Sequence, residues 1–439
     1  MMRRFVGVLL FALMWAAVLS VGQVGDSAQT AAVSLSASLP DGLLEEMFNG
    51  TCMMTNEGQQ GKQNLPVDPS LQDAKRGGDL TPVRSIIDPY PSFNGIALDP
   101  LHDRVVMSDT NKKRLLIYDR ASGDTSAQET APLQQIIGPA THIGFVAGVA
   151  MDAPHREIYA VNNDIEDRLV VFSYDDEGSQ KPRRILHVPY SSWGVAVHPA
   201  REELAVSVQQ INAVVIYRRE AHGLEAPVRS LIGRDTGLAD PHGIYWDEAN
   251  NEIWVTNHGN TNKEGTTLSS TDYYNSEAGL ALRLGGEFHA PSIRVYAATA
   301  NGNARPLRTI EGPLTQLDWP MGLAVDTVNN VVAVANSVDD SVLIYARTGN
   351  GDQKPLRVIK GRKTGITRPM GVAVDVKNNE LWVANFGDHS AVVFDLKAHG
   401  NVAPKRIVRN APSGMPTVGM GNPMALAFDS KRDQLLVGN

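Results

Sequence analysis

The 439-residue sequence contains a single cysteine, Cys52. One thiol excludes an intrachain disulfide, so the fold depends on its hydrophobic core even if the chain is exported. A haem-attachment motif would need a second cysteine followed by histidine, and the residues after Cys52 are Met-Met-Thr-Asn. Cys52 also lies too far beyond the N-terminal apolar run to be a lipoprotein cysteine. We therefore interpret it as a free thiol in a linker.

The sequence also lacks an excess of basic residues. Its 40 lysines and arginines are outnumbered by 48 aspartates and glutamates, which gives a formal net charge of −8. Binding to a phosphate backbone needs a basic surface. The composition therefore argues against nucleic acid as the partner.

Long hydrophobic runs are absent except at the N-terminus. Basic residues at Arg3 and Arg4 are followed by an apolar run from Phe5 to Val21 and then by small residues. This order predicts that residues 1–22 are a signal peptide. An uncleaved membrane anchor is the alternative, because the run nearly reaches the length that spans a bilayer. In both cases we expect an exported bacterial protein, periplasmic or extracellular, with no other membrane contact.

Helical periodicity is almost absent after residue 50, whereas glycine (39 residues) and proline (25 residues) are plentiful. Such a sequence is typical of many short strands joined by turns. Residues 23–81 are weakly patterned, and we predict that they form a linker or a weakly structured N-terminal segment.

From residue 82 onwards, the chain repeats a unit of about fifty residues. Four β-rich runs recur in each unit, for example Pro306–Gly312, Pro320–Asp326, Val331–Asn336 and Ser341–Tyr345, and then Pro355–Gly361, Pro369–Asp375, Glu380–Asn385 and Ala391–Phe394. Four short strands per repeat predict one four-stranded sheet per repeat, which is the blade of a β-propeller. We name the strands of a blade innermost, second, third and outer, the innermost strand beginning at the "Pro-x-Gly" run.

A glycine opens each run that we assign to an innermost strand, with Ala425 in its place in the last unit. The glycines are Gly95, Gly148, Gly194, Gly243, Gly322 and Gly371. Seven such runs predict an all-β propeller of seven four-stranded blades over residues 82–439. The last unit has only its first two strands, and an outer-type run at Val83–Ile87 precedes the first unit. We therefore expect an N-terminal strand to close the ring, which avoids unpaired strand edges.

The interval between Gly243 and Gly322 is about thirty residues longer than the other intervals. This difference predicts an insertion at residues 258–291 in the fourth blade. Long loops in compact folds are often binding loops, and a tolerated surface insertion is the alternative.

The repeat resembles that of the NHL-repeat β-propellers, in particular the bacterial exported members. The matching runs include Pro-Met-Gly-Val-Ala-Val-Asp at 369–375 and Asn-Asn-Glu-Leu-Trp-Val-Ala-Asn at 378–385, and the resemblance covers about residues 82–439. It implies the fold rather than an activity, because one fold serves many functions. Some members of this broad group bind protein or RNA, and related propellers include lactonases and a zinc- or calcium-dependent amidating lyase. No catalytic motif of those enzymes can be assigned residue by residue in this sequence.

Loops that enter the innermost strands and leave the second strands are expected at one face, around the mouth of the central channel, where ligands bind. We call it the mouth face. Directly before the innermost-strand glycines, or Ala425, come Asn94, Ala147, Trp193, His242, Met321, Met370 and Met424. The second strands end at Asp109, Asn162, Val208, Asn257, Asn336, Asn385 and Asn439. We interpret the repeated asparagines first as strand-ending residues that hydrogen bond to loop backbone.

The candidate ligand-binding residues at the mouth face are Asn94, Trp193, His242, Asn257, His258, Met321 and Met370. An alternative metal site would use Asn94, His242, Asn257 and His258, because imidazole suits zinc and carbonyl oxygen suits calcium. The methionines are candidates to plug the channel or to form an adaptable contact patch. We interpret the aspartates that end the innermost strands as turn residues rather than metal ligands.

Two functions follow from these observations. The first is a binding scaffold that recognises a protein, peptide or glycan through the mouth face and has no cofactor. The alternative is a metal-dependent hydrolase or lyase, similar to a lactonase, in which a calcium or zinc ion at the mouth polarises a carbonyl or activates water.

Overall fold

The computed structural model describes residues 77–79, 93–110, 112–122, 131–163, 166–261, 287–387, 390–409, 426–429, 431–432 and 434–437. All of them belong to one unit, Leu65–Asn439. The predicted signal peptide, the strand predicted at Val83–Ile87, and Met424 and Asn439 lie outside the described residues.

Six blades of four antiparallel strands follow one another along the chain, and they confirm the prediction of an all-β propeller with four-stranded blades. A short strand, β1 (Gly77–Asp79), precedes them. Blade 1 contains β2 (Phe93–Asp99), β3 (Arg104–Asp109), β4 (Arg114–Asp119) and β5 (Gln134–Ile137). Blade 2 contains β6 (Val146–Asp152), β7 (Glu157–Asn162), β8 (Arg168–Ser173) and β9 (Arg184–His187). Blade 3 contains β10 (Ser192–His198), β11 (Glu203–Val208), β12 (Ala213–Arg218) and β13 (Arg229–Leu231).

The second half of the chain continues the same pattern. Blade 4 contains β14 (Pro241–Asp247), β15 (Glu252–Asn257), β18 (Ser292–Ala297) and β19 (Arg308–Glu311), with a two-stranded ribbon of β16 (Asn260–Thr261) and β17 (Glu287–Phe288) between β15 and β18. Blade 5 contains β20 (Pro320–Asp326), β21 (Val331–Asn336), β22 (Ser341–Ala346) and β23 (Arg357–Lys360). Blade 6 contains β24 (Pro369–Asp375), β25 (Glu380–Asn385), β26 (Ser390–Asp395) and β27 (Arg406–Arg409). A two-stranded sheet, β28 (Leu426–Asp429) and β29 (Gln434–Val437), follows.

The hydrophobic core lies between neighbouring blades. Every residue of the second strands β15, β21 and β25 is buried. Because a blade is covered on both faces, these strands have continuous apolar runs instead of the alternation of a half-exposed sheet. Trp254 and Val295 of blade 4, for example, belong to one cluster with Val334 and Leu343 of blade 5. Packing between blades therefore supplies the main stabilisation.

A β-bulge interrupts each innermost hairpin next to its glycine. In blade 3, the amide of Gly194 donates to Ser207 Oγ on the second strand at 2.9 Å. The same hydroxyl donates to the carbonyl oxygen of His242 in blade 4 at 2.7 Å. One side chain therefore satisfies the bulge and also fixes the backbone of the next blade at the mouth face.

The recurrent glycine is required by the close approach of the neighbouring blade. A Cβ atom on Gly243 would lie 2.7 Å from the carbonyl oxygen of Met321 and 2.9 Å from Thr256 Oγ1. The Thr256 hydroxyl donates to the Met321 carbonyl oxygen at 2.9 Å, so a shift of this oxygen away from Gly243 would break that hydrogen bond. The repeat of glycine along the sequence thus reflects how one blade packs on the next.

The aspartates that end the innermost strands form turns at the face opposite the mouth, as predicted. Asp326 Oδ1 accepts hydrogen bonds from the amides of Val328 and Asn329, both at 2.9 Å. The structure adds a second role, because Asp99 Oδ2 accepts a hydrogen bond from the hydroxyl of Tyr174 in the next blade at 2.9 Å. These carboxylates therefore shape a turn and also hold adjacent blades together.

The prediction of seven four-stranded blades is wrong for the described residues, which form six such blades and the two-stranded sheet β28–β29. The glycine count predicted the number of innermost strands, and β28 is a further strand of that kind, but its described partner is β29 alone. Within the segment predicted to be weakly structured, residues 77–79 form β1, which pairs in parallel with β27 at the outer edge of blade 6.

The predicted insertion leaves blade 4 after Asn257 and returns at Ser292, and these two residues pair with each other. Its two ends are joined by the ribbon β16–β17, and residues 262–286 lie outside the described ranges. Within the described ranges, no helix has both the length and the apolar character needed to cross a membrane.

Candidate functional site

Two loops of each blade meet at the mouth face, because the start of the innermost strand pairs with the end of the second strand. In blade 4, Pro241 pairs with Asn257, which brings Asp240 and His242 next to His258. The amide of His258 donates to the carbonyl oxygen of Asp240 at 3.1 Å. The corresponding bonds of blades 3, 5 and 6 join Gln209 to Ser191, Ser337 to Trp319 and Phe386 to Arg368.

Four aromatic rings from blades 3, 4 and 5 contact one another in a row at this face, which we call the stack, with the outer indoles tilted against the imidazoles by 56° and 34°. The imidazoles of His242 and His258 are stacked with centroids 3.6 Å apart and planes inclined by 21°. The indole of Trp193 lies against His242 with centroids 4.9 Å apart, and that of Trp319 lies against His258 with centroids 4.6 Å apart. Both histidines are buried, whereas 41% of the surface of Trp319 is exposed. The stack therefore ends in an indole that is open to solvent.

Trp319 holds this place in a strained backbone conformation. Its φ is 58°, in the left-handed region, and the same is true of Asp240, whose φ is 54°. Aspartate tolerates this region, but for other residues it costs roughly 1–2 kcal/mol. Ser191 and Arg368 hold the same position in blades 3 and 6 and have φ of 60° and 45°, so this conformation belongs to the repeat. Trp319 is a candidate functional residue because its indole is exposed and packs on His258.

Both ring nitrogens of His242 are hydrogen bonded. Nδ1 lies 3.1 Å from the carbonyl oxygen of Asp240, and Nε2 lies 2.6 Å from Gln209 Nε2. Because a carbonyl only accepts, Nδ1 carries the proton and Nε2 accepts from the amide of Gln209. The orientation of that amide is set by Asn163 of blade 2, whose Nδ2 donates to Gln209 Oε1 at 3.2 Å. A chain of polar side chains from three blades thus fixes the ring of His242.

His258 has one nitrogen engaged and one without a partner among the described residues. Nε2 lies 3.1 Å from Met321 Sδ, and the carbonyl of Pro320 is a further acceptor for the ring. Since thioether sulfur and carbonyl oxygen are acceptors, Nε2 carries the proton and Nδ1 keeps a free lone pair. Nδ1 is buried without a hydrogen-bond partner among the described residues, and it lies 3.8 Å from Asp240 Oδ2. In the part of the chain that the structure describes, two acceptor atoms therefore face each other with no donor between them.

The carboxylate of Asp240 has no cationic partner in the described part of the chain. Its Oδ1 lies 3.4 Å from Gln209 Nε2, and the side chain of Asn260 is a second hydrogen-bond partner. The groups within ion-pair distance are His242 at 3.5 Å and His258 at 3.8 Å. The side chain of Asp240, which is only 16% exposed, is thus surrounded by amides and two imidazoles.

Burial controls the charge of the site. It raises the pKa of the Asp240 carboxyl to about 6, and it lowers the pKa of His242 to about 4. Burial, followed by the nearby imidazole of His242, lowers the pKa of His258 to about 2. At neutral pH the site therefore holds one negative charge beside two neutral rings.

Asp240, His242 and His258 place one potential metal ligand atom each within 4.8 Å of the others. Their geometry does not fit the metal ions that the family resemblance implies. The two imidazoles are stacked, so their lone pairs lie in nearly parallel planes and do not converge on one ion. Since both nitrogens of His242 are also hydrogen bonded, Asp240 and His258 Nδ1 remain as free ligands. Zinc sites need at least three protein ligands, and calcium needs six to eight oxygens.

The structure brings together four of the residues predicted to bind ligand, Trp193, His242, His258 and Met321. Met370 of blade 6 lies beside blade 5, with its Sδ 3.6 Å from Ser337 Oγ. Asn257 is occupied by a structural hydrogen bond, because its Oδ1 accepts from the amide of Ala239 at 2.9 Å. Asn94 belongs to blade 1, and its role in a ligand site stays a prediction.

Sequence reasoning missed Asp240, Gln209 and Trp319. These residues occupy two positions of the repeat that also hold predicted site residues or lie next to them. Asp240 and Trp319 are the first residues of the "x-Pro-x-Gly" runs that contain His242 and Met321. Gln209 directly follows a second strand, as His258 does. Comparison of the blades at these positions would have identified the site more completely.

No protein-family model matches the chain. No curated protein matches it either. Among solved structures, the chain is similar to the hydrazine synthase of Kuenenia stuttgartiensis, with a TM-score of 0.54 and 11% identity, over 80% of this chain and 96% of that chain. A likeness at this low identity supports the β-propeller fold alone. The resemblance to NHL repeats stays a prediction.

Proposed function

We propose that this protein is an exported NHL-like β-propeller that acts as a binding scaffold, with its ligand site at the mouth face of blades 3 to 5. The observation that carries the proposal is the stack from Trp193 to Trp319, which joins three blades and ends in an exposed indole. Aromatic side chains supply much contact area and are enriched where proteins bind their partners. The signal-like sequence of residues 1–22 is the basis for export.

The site is held rigidly before any ligand arrives. The hydroxyls of Ser207 and Thr256 bond to the carbonyls of His242 and Met321 in the following blades. Gln209 holds the imidazole of His242 from the side. A rigid surface loses little conformational entropy on binding, which favours recognition of a protein, peptide or glycan.

The hydrogen bonds at the site favour binding over covalent catalysis. A serine or cysteine nucleophile would be activated by a hydrogen bond to a histidine. Among the described residues, the partners of His242 are a backbone carbonyl and an amide, and those of His258 are a thioether and a backbone carbonyl. Neither imidazole has the hydroxyl or thiol partner that such a mechanism needs.

Selection from a peptide library displayed on phage, with a glycan array in parallel, tests the proposal. Ligands selected on the full chain are measured again on Trp319→Ala and on Val328→Ala. Val328 is the matched control, because it is 74% exposed and lies in the turn at the opposite face. We expect Trp319→Ala to weaken binding by roughly tenfold or more and Val328→Ala to leave it unchanged. Loss of binding in the control variant alone would place the ligand site elsewhere.

A metal-dependent hydrolase or lyase is the alternative function. It would need one ion held near His242 and His258, and one of the stacked rings would have to rotate to share that ion. Tight zinc or calcium binding by the purified protein, lost in His258→Gln, would favour this alternative over the scaffold.

We also propose that an N-terminal strand joins β28 and β29 and closes the ring. One contact that supports closure is the ion pair of Arg120 in blade 1 with Asp429 at the end of β28, both side chains being fully buried. It repeats the contact between other neighbouring blades, where Asp99 meets Tyr174, Asp152 meets Arg219 and Asp247 meets Arg347.

A second contact supports closure from the N-terminal side. Each outer strand of blades 1 to 5 forms a parallel bridge to a glycine of the following blade, as Ile136 does to Gly178. The outer strand of blade 6 pairs in the same way, with Val408 opposite Gly78. Hydrogen exchange of the full chain tests closure. We expect slow exchange at residues 83–87 and 434–437 together, and rapid exchange at residues 83–87 alone would contradict it.

A further inference from the structure

The site contains a negative charge that no described side chain neutralises. Asp240 is mostly buried, yet its neighbours within ion-pair distance are the imidazoles of His242 and His258. Both rings are neutral near pH 7, because burial lowers their pKa values to about 4 and about 2. A buried carboxylate without a cation is unfavourable in the protein alone. A cation supplied by a ligand would remove that penalty.

The second observation is the free lone pair of His258. Its Nδ1 is buried, has no hydrogen-bond partner among the described residues, and lies 3.8 Å from Asp240 Oδ2. A nitrogen about 2.9 Å from both atoms would donate one N–H to each. An ammonium group has such N–H bonds and also carries the charge that Asp240 lacks.

The third observation is the aromatic wall beside this pair of acceptors. Trp319 packs on His258 at 4.6 Å between centroids and is 41% exposed. Indole faces attract cations more strongly than other aromatic side chains do.

We propose that Asp240, His258 Nδ1 and Trp319 form a pocket for a primary ammonium group, such as a lysine side chain or a free amino terminus of a peptide. The carboxylate supplies the counter-charge, the imidazole accepts a second hydrogen bond, and the indole covers the aliphatic carbons next to the nitrogen. This inference rests on the proposed function and narrows its ligand to a cationic peptide. The net charge of −8 favours approach of such a ligand.

A divalent metal ion is the competing cation. The stacked imidazoles leave it two free protein ligands, whereas an ammonium group needs no more than the two acceptors present. A quaternary ammonium group could use the charge and the indole but has no N–H to donate to His258 Nδ1. These differences make the three kinds of cation separable by experiment.

Isothermal titration of the full chain at pH 7.5 tests the proposal with the peptide acetyl-Gly-Lys-Gly-amide. Its Nε-acetyl-lysine and Nε-trimethyl-lysine forms are titrated beside it, and zinc chloride is titrated separately. We expect the unmodified peptide to bind about tenfold or more tightly than either modified peptide. Equal binding of the lysine and acetyl-lysine peptides, or displacement of the lysine peptide by one equivalent of zinc, would overturn the proposal.

Variants separate this inference from the proposed function. Asp240→Asn has the shape of the native side chain and tolerates the left-handed backbone, so it is expected to fold and to weaken lysine-peptide binding about tenfold or more. Val328→Ala at the opposite face is the matched control and should bind normally. If library ligands are lost in Trp319→Ala but kept in Asp240→Asn, the scaffold stands and the ammonium pocket is wrong. If both variants keep those ligands, the mouth face is not the binding site.

Discussion

Replacement of Asp240 by asparagine should stabilise the protein at neutral pH while it removes the charge of the site. The carboxyl is buried beside two neutral imidazoles, and burial raises its pKa from an ordinary value of 3.8 to about 6. A folded-state pKa above the unfolded value means that the protonated form is favoured by folding. The associated stability is fully present below pH 3.8 and is lost as the pH rises through about 6.

The size of the effect follows from that difference in pKa. One pKa unit corresponds to about 1.4 kcal/mol, so ionised Asp240 lowers the free energy of unfolding by about 3 kcal/mol at pH 7. Asparagine has the shape of the native side chain and is neutral at every pH, so it does not carry this penalty. We therefore expect Asp240→Asn to be about 2–3 kcal/mol more stable than the native protein at pH 7 and nearly equal to it at pH 4.

Urea unfolding of the two proteins at pH 4, 5, 6 and 7, followed by tryptophan fluorescence, measures this difference. Asp318→Asn is the control, because Asp318 is an exposed carboxylate in the matching loop of blade 5 and its replacement should change stability by less than about 0.5 kcal/mol. A difference between native and Asp240→Asn proteins that does not grow from pH 4 to pH 7 would refute the reasoning. So would an asparagine variant that is less stable at pH 7. Gain of stability with loss of peptide binding would identify Asp240 as a residue kept for function.

Four further outcomes are expected. Burial lowers the pKa of His242 from 6.5 to about 4, so the stability that its neutral ring provides is present above pH 6.5 and is lost as the pH falls through about 4. In His242→Gln, the fall in unfolding free energy on acidification, measured by urea titrations, should be smaller by about 3 kcal/mol, and an unchanged pH profile would contradict this. Asp429→Ala removes one of the two carboxylates that pair with buried Arg120, since Asp103 stays 2.7 Å away, and it should cost about 1–3 kcal/mol. Arg120→Met with Asp429→Leu should recover most of that loss, and equal melting of Asp429→Ala and native protein would count against this contact between blade 1 and β28. Gly243→Ala should lower stability by about 1–3 kcal/mol, because its Cβ would meet the Met321 carbonyl at 2.7 Å, and an unchanged urea midpoint would disprove that packing argument. Protein purified without chelator should hold well under one zinc or calcium ion per chain by elemental analysis, and one full equivalent would support the enzyme alternative.

The site was predicted in part from the sequence because, in a repeat, a residue that differs from its counterparts in the other units is easily recognised. His242, His258 and Trp193 occur at repeat positions where the other units hold different residues, and these three side chains do lie in one stack. Asp240 and Trp319 were not predicted, since neither a polar nor an aromatic residue before a "Pro-x-Gly" run is unusual by itself. Their importance depends on contacts with the neighbouring loop or blade.

By itself, the sequence determined the blade. Turn residues, four β-rich runs and the recurrent glycine fix the strands of one sheet, because hydrogen bonding within a hairpin is local in the chain. The tertiary structure decided how many complete blades the described residues form and which side chains meet at the mouth. His258 and Trp319 are about sixty residues apart, and the free nitrogen of His258 exists because Met321 of the next blade engages the other one. Contacts between blades depend on the packing of whole sheets, which no local pattern specifies.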